Sequence, residues 1–318
     1  MEDIQLKILV TGAGGMLGSA LIPALIDAGH GAWPTDLRGV ASAHGTFSMG
    51  ELDVRETDDI DRWLERVDPD LVMHLAAETD VDLCEGQPEY AADTNAQGTR
   101  NIARACESAE LPLVYISTAG VFDGHKHDPY NELDAAHPIN IYGRSKLDGE
   151  EFVQGLLKRF FIVRAGWMVG GGVKDHKFVA RVIQQVQAGA TTVYAVDDKF
   201  GTPTYAPDFA RCLTGLMATE HYGLYHMACL GGGTRYNVAE VILESLGRTD
   251  TVELVPVGSD FFRDTYPAPR PRSEMMHNLM LERLGRNTMR PWEEAVKEYL
   301  LTAFPEACVA RRSAVASL

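Results

Sequence analysis

The chain has 318 residues, 45% of them hydrophobic, enough apolar material for one large α/β domain or two closely joined ones. Its 45 acids against 29 bases give a net charge of -16, which argues against wholesale binding to nucleic acid or an anionic membrane and leaves room for an anionic small ligand in a local pocket. Five scattered cysteines with no C-x-x-C pair argue against a disulfide frame or a zinc site and fit reduced thiols in the cytoplasm.

The chain enters on an apolar strand pattern, KILVTG (Lys7–Gly12). No signal-peptide pattern precedes it and no apolar run is long enough to span a bilayer, so a soluble cytoplasmic protein is expected. Helical apolar spacing follows over Gly15–Gly29, then a second strand over His30–Asp36, weakened by Pro34. A third strand is expected over Asp68–Ala77, a long helix over Pro88–Glu110 and a fourth strand over Leu111–Thr118. Another helix opens in INIYGRSKLDGEE (Ile139–Glu151), and a fifth strand covers Arg159–Gly170. This β-α-β-α order predicts an α/β fold, a Rossmann-type doubly wound parallel sheet with helices on both faces. Such sheets bind ligands beyond the carboxyl ends of their strands, so the first glycine turn, Thr118 and the start of the Tyr142 helix should gather at one edge.

The second half is less regular. A helix is expected over Val173–Gly189, then a strand, a loop and a helix starting near Pro207 within Thr191–Met217. A strand over Gly223–Cys229 and a helix over Asn237–Gly247, capped by Asn237, follow. The proline-rich YPAPRPRSE (Tyr266–Glu274) should lack regular structure, and residues 309–318 read as a frayed tail.

The turn VTGAGGMLG places Gly12, Gly15 and Gly18 between strand and helix. The first glycine permits the turn, the second admits a pyrophosphate to the backbone, and the third brings the helix close to the strand. Met16 and Leu17 open the helix, whose free N–H groups face the phosphates. Asp36, ending the second strand, can bind the adenosine ribose and favours NAD; Arg38, two residues on, could pair with the extra phosphate of NADP. Asp53 is a candidate for adenine contact or an ordinary loop acid. We therefore expect residues 1–165 to form an NAD(P)-binding Rossmann domain to which part of 191–230 returns, and 166–308 to form mainly a smaller α/β substrate-binding domain. His74 reads as a satisfied core histidine. His125, His127 and His137 share one loop region without a second ligand cluster, so no metal site is expected.

Several motifs together resemble the extended short-chain dehydrogenase/reductases, and within them the dTDP-4-dehydrorhamnose reductase branch. They are VTGAGGMLG, HLAAETDVDLCEGQPEYAADTNAQGTRNIARAC, VYISTAGVFDG, PINIYGRSKLDGE, FGTPTYAPDFA and GLYHMA, spread over nearly the whole chain. The resemblance implies that Thr118, Tyr142 and Lys146 act together, that Ala76, Ala77 and Asn95 lie along the dinucleotide, and that Arg164 and Gly166–Met168 lie near the nicotinamide. It implies a reductase of a nucleotide-linked 4-keto-6-deoxy sugar, with Tyr142 as proton donor. A free tyrosine has a pKa of about 10, and a lysine cation nearby would lower it. Tyr205 could stack on the sugar nucleotide, and Arg270 could clamp its diphosphate or simply be a solvated loop arginine. A homodimer is compatible with the branch.

One departure stands out. The branch usually reads S-T-D-Y-V-F-D-G where this chain reads Ser117-Thr118-Ala119-Gly120-Val121-Phe122-Asp123-Gly124. Ala119 and Gly120 cannot do acid–base work, which counts against a sugar 4,6-dehydratase and leaves the substrate open. Two other readings remain: a nucleotide-sugar epimerase that retains its NAD, and a regulatory subunit resembling the methionine adenosyltransferase β subunit.

Overall fold

Strands buried on both faces read as unbroken apolar runs, and the centre of this molecule is built from them. The computed structural model describes residues 5–39 and 48–308; the tail read as frayed lies outside them. The first half gives β1 (Lys7–Thr11), β2 (Gly31–Asp36), β3 (Gly50–Glu51), β4 (Leu71–His74), β5 (Leu113–Thr118) and β6 (Phe160–Ala165). The second half gives β7 (Trp167–Val169), β8 (Thr192–Val196), β9 (Phe200–Gly201), β10 (Pro203–Tyr205), β11 (Gly223–Met227), β12 (Gly233–Thr234), β13 (Glu253–Val257) and β14 (Ser273–Glu274).

Seven strands form one sheet in the order β11-β6-β5-β4-β1-β2-β3, with every pair parallel. The chain runs outward through β2 and β3, then returns to β4 on the other side of β1. That reversal opens a crevice beyond the ends of β1 and β4, where such folds bind ligands. Alternate residues of one strand face different cores. Ile8 and Val10 pack with Leu21, Met73, Phe161 and Phe209, while Leu9 packs with Val72, Tyr115, Ile162 and Val153. Each such large side chain removed from water contributes about 1.5–3 kcal/mol.

Beyond β6 the structure divides into small sheets: β10 beside β7, β9 between β12 and β14, and β8 beside β13. The strand expected over Arg159–Gly170 breaks at Gly166, where a Cβ would fall 2.3 Å from the Thr202 oxygen. The Trp167 N–H donates to that same oxygen at 2.8 Å, turning the chain onto the 200–205 segment. The long helix after Pro88 carries a π turn over Ala92–Gln97 before continuing as Gly98–Ser108. Two expectations are corrected. The helix Arg235–Leu246 is capped by Thr234, not Asn237: the Thr234 side chain takes the Asn237 N–H, and the Asn237 side chain takes the Thr234 N–H. The end of the proline-rich stretch is regular, because Ser273 and Glu274 pair with β9. Among the described residues no helix is long and apolar enough to cross a membrane.

Candidate active site

The glycine turn follows β1 at the crevice. Gly12 has φ +67°, and a Cβ there would lie 2.4 Å from the Ala76 nitrogen, so only glycine lets β1 and the end of β4 approach so closely. Gly18 lies against Ala13, whose carbonyl oxygen would be 2.2 Å from an added Cβ. The helix Met16–Asp27 starts at Gly15 with no side-chain cap, so its first N–H groups are available to an anion. Leu17 gives its side chain to the core, and Met16 lies against Gly171. Asp36 is fixed at the end of β2: its carboxylate accepts the Gly14 N–H at 2.9 Å and the Leu37 N–H at 2.8 Å. Arg38 is exposed two residues beyond. Asp53 pairs with Arg55 at 2.6 Å, which holds its carboxyl below the usual range. Lys174, absent from the sequence-based candidates, donates to the Gly14 oxygen at 2.9 Å and lays a cation over the turn. Glycines at positions where a Cβ would clash, an uncapped helix start and an acid at the second strand end together fit a dinucleotide.

Thr118 ends β5 half-buried, with its Oγ1 accepting the Gly120 N–H at 3.0 Å. The helix Ile141–Leu156 starts opposite. Asn140 caps it through the Gly143 N–H at 2.7 Å, and Gly143 is pressed onto Gly120, whose oxygen would be 2.1 Å from an added Cβ. This contact brings Tyr142 to Thr118. Burial pushes the Tyr142 phenol up to about 12, with its hydrogen bond to Thr118 pulling the other way. Lys146, one turn on, is 3% exposed, and its Nζ lies 4.2 Å from the centre of the Tyr115 ring. Burial draws its ammonium down to about 7, partly offset by the Glu150 carboxylate. The expected lowering of Tyr142 by Lys146 is therefore reversed in the protein alone: desolvation outweighs the help of any charge, and Lys146 is not among the leading contributors.

A family profile described as RmlD substrate binding domain matches residues 6–304. The chain belongs to this family. Among the relatives of this RmlD-family chain is the dTDP-4-dehydrorhamnose reductase of Mycolicibacterium smegmatis, 32% identical over 300 residues that cover 94% of this chain and 86% of the relative. The Streptomyces griseus enzyme of the same name is 33% identical, covering 94% and 93% of the two chains. The crystal structure of Bacillus anthracis dTDP-4-dehydrorhamnose reductase in complex with NADP superposes with a TM-score of 0.84 at 30% identity, covering 94% of this chain and 99% of that one.

Other expected site residues of the RmlD-family chain do different work. Asn95 is fully buried and has no amide group left for a cofactor: it accepts the Glu78 N–H at 2.8 Å and donates to the Glu78 oxygen and to Ser145 Oγ, both at 3.0 Å. It ties the segment after Ala76 and Ala77 to the Tyr142 helix. Tyr205 is a core residue, 6% exposed beside Tyr299, its hydroxyl 3.5 Å from Thr302 Oγ1. Core packing thus displaces the expectation that it stacks on a sugar. Arg164 is buried in an ion pair with Glu150 at 2.7 Å, with Ser117 on the same carboxylate, so it braces β6 against the Tyr142 helix. Arg270 pairs with Asp82 at 2.6 Å. His74 is satisfied in the core by Thr11 at 2.8 Å and Thr99 at 3.1 Å.

One acid was missed. Glu274, half-buried at the end of β14, comes to the Thr118 edge from the other half of the molecule. Its Oε2 accepts the Trp167 Nε1–H at 2.8 Å, and the Arg235 guanidinium stacks 3.8 Å from the Trp167 ring centre. In the sequence it is a single glutamate after a proline-rich loop, with no local pattern to distinguish it.

Proposed function

We propose that the chain catalyses NAD(P)H-dependent reduction of a nucleotide-linked 4-keto-6-deoxy sugar. The observation that carries this reading is the meeting of Thr118, Tyr142 and buried Lys146 at the sheet edge where β1 ends in the Gly12–Gly18 turn. The names of the dTDP-4-dehydrorhamnose reductases at 32–33% identity supply the substrate class. The Gly12–Gly18 turn would hold the pyrophosphate, Asp36 the adenosine ribose, Ala76 and Ala77 the face of the dinucleotide, and Lys146 the nicotinamide ribose. Once bound, the nicotinamide supplies a hydride.

The protein's own residues supply the proton. With its phenol pushed up to about 12, Tyr142 keeps its proton at neutral pH, the form a donor needs in the reductive direction. As negative charge develops on the ketone oxygen, Tyr142 gives up that proton while the Thr118 hydroxyl donates a hydrogen bond to the same oxygen. Lys146, balanced near neutrality, gains charge when an anion enters the cleft and then favours phenolate once the proton has left. Asp36 favours NADH because its charge opposes a 2′-phosphate, whereas Arg38 is the group that would admit NADPH.

The test follows nicotinamide absorbance with purified protein and a panel of nucleotide-linked 4-keto sugars. Stoichiometric oxidation, reduced about 10²–10⁴-fold in Tyr142→Phe, supports the reading. Conversion of a sugar without net nicotinamide consumption, or no oxidation with any sugar, overturns it.

A further inference from the structure

Thr118 is followed by two positions that bring no functional group to the site, a buried alanine and a glycine. A Cβ placed on Gly120 would lie 3.4 Å from Thr118 Oγ1 and 3.6 Å from Glu274 Oε1, so both oxygens border the same small space. Glu274 enters that space on β14, which pairs with β9. One carboxylate oxygen is fixed by the Trp167 Nε1–H. Trp167 is itself held flat between Gly201, where a Cβ would fall 2.1 Å from its Cε2, and the Arg235 guanidinium. Among the described residues no protein group donates to the other oxygen, Oε1. Burial raises the carboxyl, and the Trp167 hydrogen bond and the charges of Arg235, Arg270 and Lys199 offset that rise in part. A carboxylate with one anchored and one unused oxygen, facing a hydroxyl that meets the reacting group, is arranged to accept a donor from a ligand.

We propose that Glu274 is a specificity-determining residue that touches the substrate: its Oε1 accepts a hydrogen bond from the sugar hydroxyl on the ring carbon next to the ketone, while Thr118 engages the ketone oxygen. This rests on the reductase reading of the site. In a 4-keto-6-deoxyhexose one carbon beside the ketone bears a hydroxyl and the other bears the methyl group, so the C3 hydroxyl is the donor adjacent to the reacting oxygen. Thr118 from the sheet and Glu274 from β14 then hold two neighbouring oxygens from opposite walls. The glycine at 120 keeps the space between them open. Sugars lacking the C3 hydroxyl leave the carboxylate without its donor, and that loss is the source of selectivity.

The experiment compares kcat/KM for a nucleotide-linked 4-keto-6-deoxyhexose and its 3-deoxy counterpart in wild type, Glu274→Gln and Gly120→Ala. Glutamine keeps an oxygen for Trp167 but removes the charged acceptor. An alanine methyl at 120 sits at ordinary contact distance from its neighbours and occupies the shared space. Wild type should prefer the 3-hydroxy sugar by about 10–100-fold, as expected for a hydrogen bond to a charged group. Both variants should bring that preference within about 3-fold of unity while binding NADH as tightly as wild type. A preference unchanged in Glu274→Gln, or equal losses on both sugars, overturns the proposal and leaves the reductase reading standing. If Glu274→Gln does not fold, the same comparison on Gly120→Ala decides the matter. No NADH oxidation by wild type with either sugar overturns both.

Discussion

Replacing Lys146 with methionine should stabilise the cofactor-free protein while abolishing most of its activity. The lysine is 3% exposed, and its ammonium is drawn from 10.5 down to about 7 by burial. At 1.36 kcal/mol per pKa unit, holding the charged form inside the fold costs about 5 kcal/mol. The gain for Lys146→Met is therefore about 5 kcal/mol at pH 6. Because the folded pKa lies below the unfolded one, the penalty is fully present below pH 7, where the lysine is charged in both states. It fades as pH rises toward 10.5, where the amine is neutral in both states, at a slope of about 1.36 kcal/mol per pH unit. The gain should thus fall to about 2 kcal/mol at pH 9 and vanish near pH 10.5. Urea unfolding of both proteins at pH 6, 7.5 and 9, followed by circular dichroism, measures it. A difference that does not change with pH, or a variant less stable at pH 6, would refute the argument that a costly charge is held there.

Three further outcomes follow from the geometry. Gly12→Ala combines a left-handed backbone, worth about 1–2 kcal/mol, with a collision at Ala76; calorimetric titration should show loss of dinucleotide binding together with a lower melting temperature. Arg164→Met leaves the Glu150 carboxylate buried without its partner and should cost about 3–5 kcal/mol in denaturant unfolding. Asp36→Asn removes the charge that opposes a 2′-phosphate, so the ratio of kcat/KM for NADPH over NADH should rise; an unchanged ratio would mean that Asp36 does not face the ribose.

Much of the sheet was legible because its strands are apolar on both faces and its turns are marked by glycine. The β-α order implies a parallel sheet, and such sheets bind ligands beyond the carboxyl ends of their strands, so the sequence places Thr118, the start of the Tyr142 helix and the glycine turn at one edge; the reversal between β1 and β4 is seen only in the fold. What sequence reasoning missed depends on burial and long-range pairing. The family resemblance implied ligand-side roles for Asn95 and Arg164, yet Asn95 is bonded to Glu78 and Ser145, and Arg164 is paired with Glu150 on the Tyr142 helix. Tyr205 looks the same in sequence whether its ring faces a cleft or Tyr299. The direction of the Tyr142 shift was missed because a sequence shows which charges are near in the chain and says nothing of the desolvation that opposes them. Glu274 was missed because it reaches Gly120 from far along the chain, through a two-residue strand inside a loop expected to be irregular.

The turn Ala268–Pro269–Arg270 is fastened at three points. Asp82 accepts the Ala268 N–H at 3.0 Å and the Arg270 guanidinium at 2.6 Å, and Asn140 donates its Nδ2–H to the Pro269 oxygen at 2.9 Å. Asn140 stands two residues before Tyr142 and caps the same helix. The loop leading to Glu274 and the helix that presents Tyr142 therefore share one mechanical linkage. A displacement of 268–274 away from the sheet would pull on the first turn of the Tyr142 helix, and the two segments are braced as one unit.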